Sequence, residues 1–170
     1  ELAPRALGFV GIFANGDAGG AQVVEEQQIP VVGAASTTEF QDVSTVFDTN
    51  PPPADPRGVI PKYRFLREQG VRRAAVITLS NAAAVAELDV HQAQMEAAGI
   101  AVVSRQVLPV TTLSFDSAAR AVANSGAQYL FFLAAENHDA SMAQSMRDTG
   151  YELLFEEYLT GYGELYLELA

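Results

Sequence analysis

Short runs rich in Val, Ile, Leu and Phe alternate along the chain with longer segments whose apolar positions recur every three to four residues. The first pattern is that of buried strands and the second that of helices laid over them, so their alternation predicts an α/β fold on parallel sheets. ALGFVGIF, from Ala6 to Phe13, reads as a strand, and Asp17 as the cap of a helix through AQVVEEQQ. IPVVGA from Ile29 and the short run STVFDT are the next strands, and NPPPADP then forbids both helix and ladder, which marks a crossover. Asp55 followed by Pro56 predicts a helix start, running to about Gln69 with Gly70 as its end and with Pro61 kinking it or delaying it.

Beyond that helix the pattern is regular. RRAAVITL is a strand, and Asn81 to Ala98 a long helix with Val85, Leu88, Met95 and Ala98 on one face, closed by Gly99. IAVVSRQVL is a strand, Phe115 to Ser125 a helix, AQYLFFLA a strand, Asn137 to Thr149 a helix ended by Gly150, and YELLFEEY a last strand. GELYLELA opens a further helical period that breaks off at Ala170, and the first strand has little lead-in, so a piece of a longer chain is expected. The residues before the proline stretch are too few for an independent α/β core.

Composition narrows what such a fold can do. Of 170 residues 49% are hydrophobic, enough for a sizeable core. A formal charge of -11 repels phosphate backbones and anionic membranes, so nucleic acid is not an expected partner. The longest apolar run, YLFFLAA, is far shorter than the roughly 18 residues a membrane helix needs. The absence of cysteine excludes disulfides, thiol catalysis and zinc-thiolate sites. ELAPRALGFVGIF contains neither a basic leader region nor a cleavage motif, so any signal peptide would lie upstream.

In open parallel sheets ligands sit beyond the carboxyl ends of the strands, which directs attention to ANGDAGG, AASTTEF, LSNAAA and AENHDA. All four loops are small and polar. Ser36, Thr37 and Thr38 suit a neutral socket for a carboxylate or polar head, and equally suit an N-capping hydroxyl motif. NGDAGGA lacks the spacing of a dinucleotide or phosphate loop and carries Asp17 where phosphate would sit; Asn15 remains free to donate to a ligand. Glu136, His138 and Asp139, read as a loop entering a helix, match no metal-ligand spacing, and Asn137 or Asp139 has a role as a helix cap. His91 falls beside Asp89 and Gln92 on a face expected to be solvated. No G-x-S-x-G elbow and no nucleophile with a partnering base is present, so neither catalytic residues nor metal nor cofactor is expected. Tyr158 and Tyr162 flank the turn LTGYG, where they would wall a ligand cleft or pack the core edge.

The order GFVGIFANGDAGGAQVVEEQQIPVVGAASTTEF, a proline crossover, GVRRAAVITLSN, MEAAGIAVV and FDSAARAVANSGAQYLFFLAAENHDASMAQSMRDTGY resembles the type I periplasmic-binding fold. Within it the chain is most similar to the branched-chain amino acid (Leu/Ile/Val) type of substrate-binding proteins of ABC transporters. The resemblance implies doubly wound parallel sheets in parts of two Rossmann-like lobes: 1–50 in the first, 51–55 as the crossover, 56–170 in the second. It further implies a non-enzymatic protein, exported to the periplasm or cell surface, that closes its lobes over a small ligand and delivers it to a membrane permease. A ligand-sensing regulatory domain of the same fold is the alternative. By position, the family's ligand contacts fall on Ala14, Asn15, Ser36 and Thr37 in the first lobe. In the second they fall on Asn81, Ala83, Ala135, Glu136, Tyr158 and Thr160. Amino acid binders place an aromatic residue after the strand AAVITL, where this chain has Asn81, Ala82, Ala83 and Ala84. That departure implies a wider, more apolar pocket, suited to an aromatic or aliphatic carboxylate, with Glu136 the one nearby acidic group for an ammonium.

Overall fold

The computed structural model of the protein describes residues 6–13, 17–35, 37–49 and 60–159. The chain divides into two compact units, Glu1–Gly58 and Val59–Ala170. The expected crossover at 51–55, the cap at Asp55 and Pro56, and the helical period of GELYLELA lie outside the described residues.

In the first unit β1 (Phe9–Phe13), β2 (Val31–Ala34) and β3 (Val46–Asp48) form a parallel sheet in sequence order, with α1 (Ala18–Glu26) and the short α2 (Thr38–Gln41) as connections. β1 starts three residues later than its apolar run suggested. Successive strand residues point to opposite faces, and Phe9, Val31 and Val46 face a small core with Val24 and Phe40 from the two helices. α2 was not expected; it occupies the stretch TEFQ and supplies Phe40 to that core.

The second unit is larger. β4 (Arg73–Leu79), β5 (Ala101–Leu108), β6 (Tyr129–Leu133) and β7 (Phe155–Tyr158) are all parallel, in the order β5-β4-β6-β7. Alternation along β4 and β6 builds two cores on opposite faces of this sheet. Ala75, Ile77, Leu79, Leu130 and Phe132 meet α5 (Asp116–Ser125) and α6 (Glu136–Thr149). Ala74, Val76, Tyr129, Phe131 and Leu133 meet α3 (Ile60–Glu68) and α4 (Ala82–Ala97) on the other face. A register shift at Ala74 and Ala75 leaves Val103 of β5 as an extra residue, after which Leu108 turns to the first of these faces. This is the doubly wound α/β arrangement expected from the sequence.

Pro61 falls in the first turn of α3 (Ile60–Glu68), where its missing N–H costs no helical hydrogen bond, in line with the delayed start that was one of the two outcomes expected of it. Several other local expectations need correction. β7 begins at Phe155, not at Tyr151, because Tyr151 leaves the sheet to donate its hydroxyl to the Ala127 carbonyl at 2.8 Å. The buried face of α4 carries Leu88, His91, Gln94 and Met95. His91 is therefore a core residue and not a solvated one. Its spacing of three from Leu88 and four from Met95 places it on the same stripe, and its Nδ1 lies 2.6 Å from the Tyr63 hydroxyl, which satisfies the buried nitrogen.

Candidate functional site at the carboxyl edges of the sheets

The second unit has a topological switch point. From β4 the chain passes through α4 to β5 on one side, and from β5 through α5 back across to β6 on the other, so the carboxyl ends of β4 and β6 are neighbours whose continuations diverge. Such a divergence opens a crevice above the strands. Thr78, fully buried, ties the two ends together by donating its hydroxyl to the Leu133 carbonyl at 2.9 Å.

Four residues expected at the site stand on the two diverging chains. Asn81 is extended, with φ -118° and ψ 145°, and its side-chain oxygen accepts the Ala84 N–H at 3.0 Å, capping α4. That bond engages one lone pair of the Asn81 oxygen, and the side-chain NH2 supplies hydrogens that a ligand can use. Ala83 follows in the first turn. On the other chain Ala135 is the extended residue before α6, with φ -85° and ψ 158°, and Glu136 is the first helical residue.

Glu136, Asn137, His138 and Asp139 are thus the first turn of α6 and not a loop. Neither Asn137 nor Asp139 caps the helix: the cap position is Ala135, whose side chain offers no acceptor, and its carbonyl takes the N–H groups of His138 and Asp139 at 2.8 and 3.0 Å. Glu136 and Asp139 complement the positive end of the helix dipole there. Among the described residues no group of three or more His, Cys, Asp or Glu side chains is placed to hold a metal ion.

Tyr158 ends β7 and is half-buried. Its hydroxyl donates to Glu156 at 2.8 Å, and its ring meets Phe132 edge-on at 6.1 Å between centroids. Phe132 meets Phe115 at 5.3 Å and Phe115 meets His138 at 6.0 Å, both edge-on. An aromatic file therefore runs under this edge from β7 to the start of α6. The file was not anticipated, although YLFFL beside FEEY carries its alternation. The grooves between α5 and α6 are elsewhere: they flank Asp116, whose carboxyl the Ser145 and Ser114 hydrogen bonds hold below the usual carboxylate range.

In the first unit, Ala14, Asn15 and Ser36 lie outside the described residues, as does Thr160 in the second. Thr37 is described, at the carboxyl edge of β2. Its hydroxyl donates to the Asp17 carboxylate at 2.6 Å, and Asp17 is only 6% exposed. Asp17 stands at the cap position of α1 yet makes no side-chain cap, because its helical φ of -64° turns the carboxylate away from the amides it would accept. The bond also fixes what Thr37 can do: with its hydrogen committed, Thr37 offers a ligand lone pairs only. Asp48, at the end of β3, accepts the Ala35 N–H at 3.2 Å.

A doubly wound second unit beside a smaller parallel α/β unit, with small and polar residues at the carboxyl edges, is the arrangement of the type I periplasmic-binding fold. The chain belongs to the family described as periplasmic binding protein, whose model matches residues 5–167. Among curated proteins no sequence match is found. Among solved structures, the chain is similar to a protein of Rhodospirillum rubrum assigned to a branched-chain amino acid ABC transporter, at 19% identity and a TM-score of 0.72 over 98% of this chain and 48% of that one. It is similar to a solute binding protein of an ABC transporter from R. palustris in complex with 4-hydroxybenzoate, at 18% identity and a TM-score of 0.69 over 84% of this chain and 39% of that one. A further one from R. palustris, in complex with benzoate, has 14% identity and a TM-score of 0.72 over 90% of this chain and 43% of that one. The chain thus spans less than half the length of these structures, and at such identities the likeness concerns the fold. No helix among the described residues is long and apolar enough to cross a membrane.

Proposed function

We propose that the protein is an exported solute-binding protein that captures a small organic carboxylate, aromatic or aliphatic, by lobe closure and presents it to the permease of an ABC transporter. In this reading residues 1–50 belong to the first lobe, 51–55 to the crossover and 56–170 to the second lobe. Ala14, Asn15, Ser36, Thr37, Asn81, Ala83, Ala135, Glu136, Tyr158 and Thr160 face the ligand, and no residue has a catalytic task. The observation that carries the reading is the edge of the second unit. There the carboxyl ends of β4 and β6 lead into α4 and α6 through small residues, Ala83 in the first turn of α4 and Ala135 at the cap of α6, with the aromatic pair Phe132 and Tyr158 on β6 and β7, which supports a pocket for a flat or aliphatic ligand.

Each unit's edge has its own polarity. Donors are at hand in the second unit, in the Asn81 amide and in the uncapped amino end of α6, and these suit a carboxylate. In the first unit the Thr37 hydroxyl is already spent on Asp17, so that edge suits a ligand group that donates, such as a hydroxyl or an ammonium. Benzoate and 4-hydroxybenzoate, bound by the two structural neighbours from R. palustris, have the corresponding chemistry.

Glu136 decides between a plain carboxylate and an α-amino acid. A ligand present at about 100 times its Kd raises the unfolding free energy by about 2.7 kcal/mol, which a thermal shift registers. In the full-length protein, benzoate or 4-hydroxybenzoate should raise the Tm while leucine and phenylalanine leave it unchanged, and Glu136→Gln should tighten benzoate binding by relieving anion repulsion. Stabilisation by the amino acids alone, abolished in Glu136→Gln, would overturn the des-amino reading.

A further inference from the structure

A second polar cluster lies on the opposite face of the second unit's sheet, away from the switch-point crevice. Glu157 of β7 accepts the Tyr129 hydroxyl at 2.5 Å through one carboxylate oxygen and the Lys62 ammonium at 2.8 Å through the other. Lys62, the only lysine in the chain, sits in the first turn of α3, with its ammonium 4.8 Å from the Tyr63 ring centroid and 4.9 Å from that of Phe131. Tyr63 in turn reaches His91 of α4. One carboxylate on a strand four residues long thus ties together α3, β6 and β7.

The position of Glu157 along the strand gives this tie a consequence. β7 pairs with β6 through only four register positions, Tyr129 with Phe155 to Phe132 with Tyr158. Glu157 and Tyr158 are consecutive, so their side chains leave opposite faces: Glu157 toward α3, Tyr158 toward Phe132 and the ligand edge. A one-residue slip of so short a strand would exchange those faces and remove Tyr158 from the edge. Phe155, the other residue on the Glu157 face, packs only partly into that core, so burial alone specifies the register weakly. The two charge-assisted bonds to Glu157 have a defined geometry that a slipped strand cannot reproduce.

We infer that Glu157 is a positioning residue for the ligand site: clamped by Lys62 and Tyr129, it fixes the register of β7 and so holds Tyr158, and Leu159 after it, at the ligand edge. The same carboxylate joins that edge to the first turn of α3. This inference rests on the proposed solute-binding role for its functional part, while its structural part, the register of β7, stands independently.

The test uses the full-length protein with Glu157→Gln, which keeps size and one acceptor but loses the charge, and with the exchanged pair Lys62→Glu/Glu157→Lys. Amide exchange at Glu156 to Leu159 is followed by mass spectrometry, and affinity for benzoate and 4-hydroxybenzoate by calorimetry. Expected are exchange at least tenfold faster in that segment, with β4 unchanged, and benzoate affinity weakened several-fold, both largely restored in the exchanged pair. Should Glu157→Gln fail to fold, Lys62→Met serves, since it breaks the same clamp from α3. Exchange in β7 equal to wild type in either variant would overturn the inference whatever the ligand. Faster exchange with benzoate affinity within twofold of wild type would overturn the link to the site. If the wild-type protein binds neither benzoate nor 4-hydroxybenzoate, it is the carboxylate reading that fails, and the exchange data alone decide the clamp.

Discussion

At the scale of single residues, the chemistry of this chain is concentrated where polar groups are buried against the sheet of the second unit. Tyr63 and Tyr129 are fully enclosed, and their phenols are pushed well above the ordinary value, by burial first and then by the negative charge of Glu157. A phenol raised in the folded state is one the fold requires neutral. Its contribution is therefore complete below the unfolded-chain pKa of about 10 and is lost as pH climbs past it. Urea denaturation should show stability level to about pH 9 and falling steeply by about pH 11, with a shallower fall in Tyr129→Phe, which has one phenol fewer to ionise. Coincident pH profiles for wild type and Tyr129→Phe would mean that the alkaline loss arises elsewhere. None of this was visible residue by residue in the sequence. A histidine flanked by Asp89 and Gln92 looks solvated when its neighbours in sequence are weighed, and only the spacing to Leu88 and Met95 reveals that it shares their stripe. Asp17 failed for the converse reason: its place before a helix suggested a cap, while its tertiary partner Thr37 comes from twenty residues on and leaves no local trace.

At the scale of elements, the hydrophobic pattern specified nearly everything. β4 and β6 were legible because they are buried on both faces and so read as continuous apolar runs, whereas β5 alternates exposed and half-buried positions and β7 begins four residues later than expected; each helix after β4 was bounded by a cap or a glycine. The left-handed residues Gly126 and Gly150, at φ 65° and 67°, end α5 and α6 where the sequence put them. Short elements were the ones misjudged, since four residues of α2 contain too little periodicity to announce a helix. The candidate site was legible to the extent that it depends on strand ends; the aromatic file beneath it was not, because its members come from three separate elements, β6, β7 and α6, and from the cap of α5. Asn81 shows how a cap and a site overlap. Asn81→Ala should cost about 1 kcal/mol of stability by removing the bond to the Ala84 N–H. Asn81→Asp retains that cap, so it should unfold like wild type, and it should bind benzoate more weakly because an acceptor replaces the donating amide. Unfolding curves and calorimetry on the two variants separate these effects. Equal benzoate affinity in wild type and Asn81→Asp would remove Asn81 from the ligand contacts.

At the scale of the whole chain, the two units differ in how their sheets are covered. β4 and β6 are enclosed by helices on both faces, whereas the sheet of the first unit has α1 and α2 on one face only among the described residues. On its other face Val10, Val32 and Phe47 stand side by side in register, 84, 40 and 61% exposed. Hydrophobic stabilisation scales with apolar area removed from water, so for equal numbers of strand residues the first unit gains much less. Opening free energies are graded by such differences in burial. Native-state hydrogen exchange on the chain of residues 1–170 should therefore find the slowest amides in β4 and β6, opening only with global unfolding of their unit, and β1 to β3 exchanging through a separate, lower-energy opening. Addition of denaturant distinguishes the two, since an opening confined to one unit exposes less surface and depends on denaturant less steeply. If the amides of Val31 to Gly33 shared both the free energy and the denaturant dependence of those in Leu130 to Phe132, the two units would unfold as one. The exposed valines and Phe47 would then contribute to stability in a way that burial within the first unit does not explain.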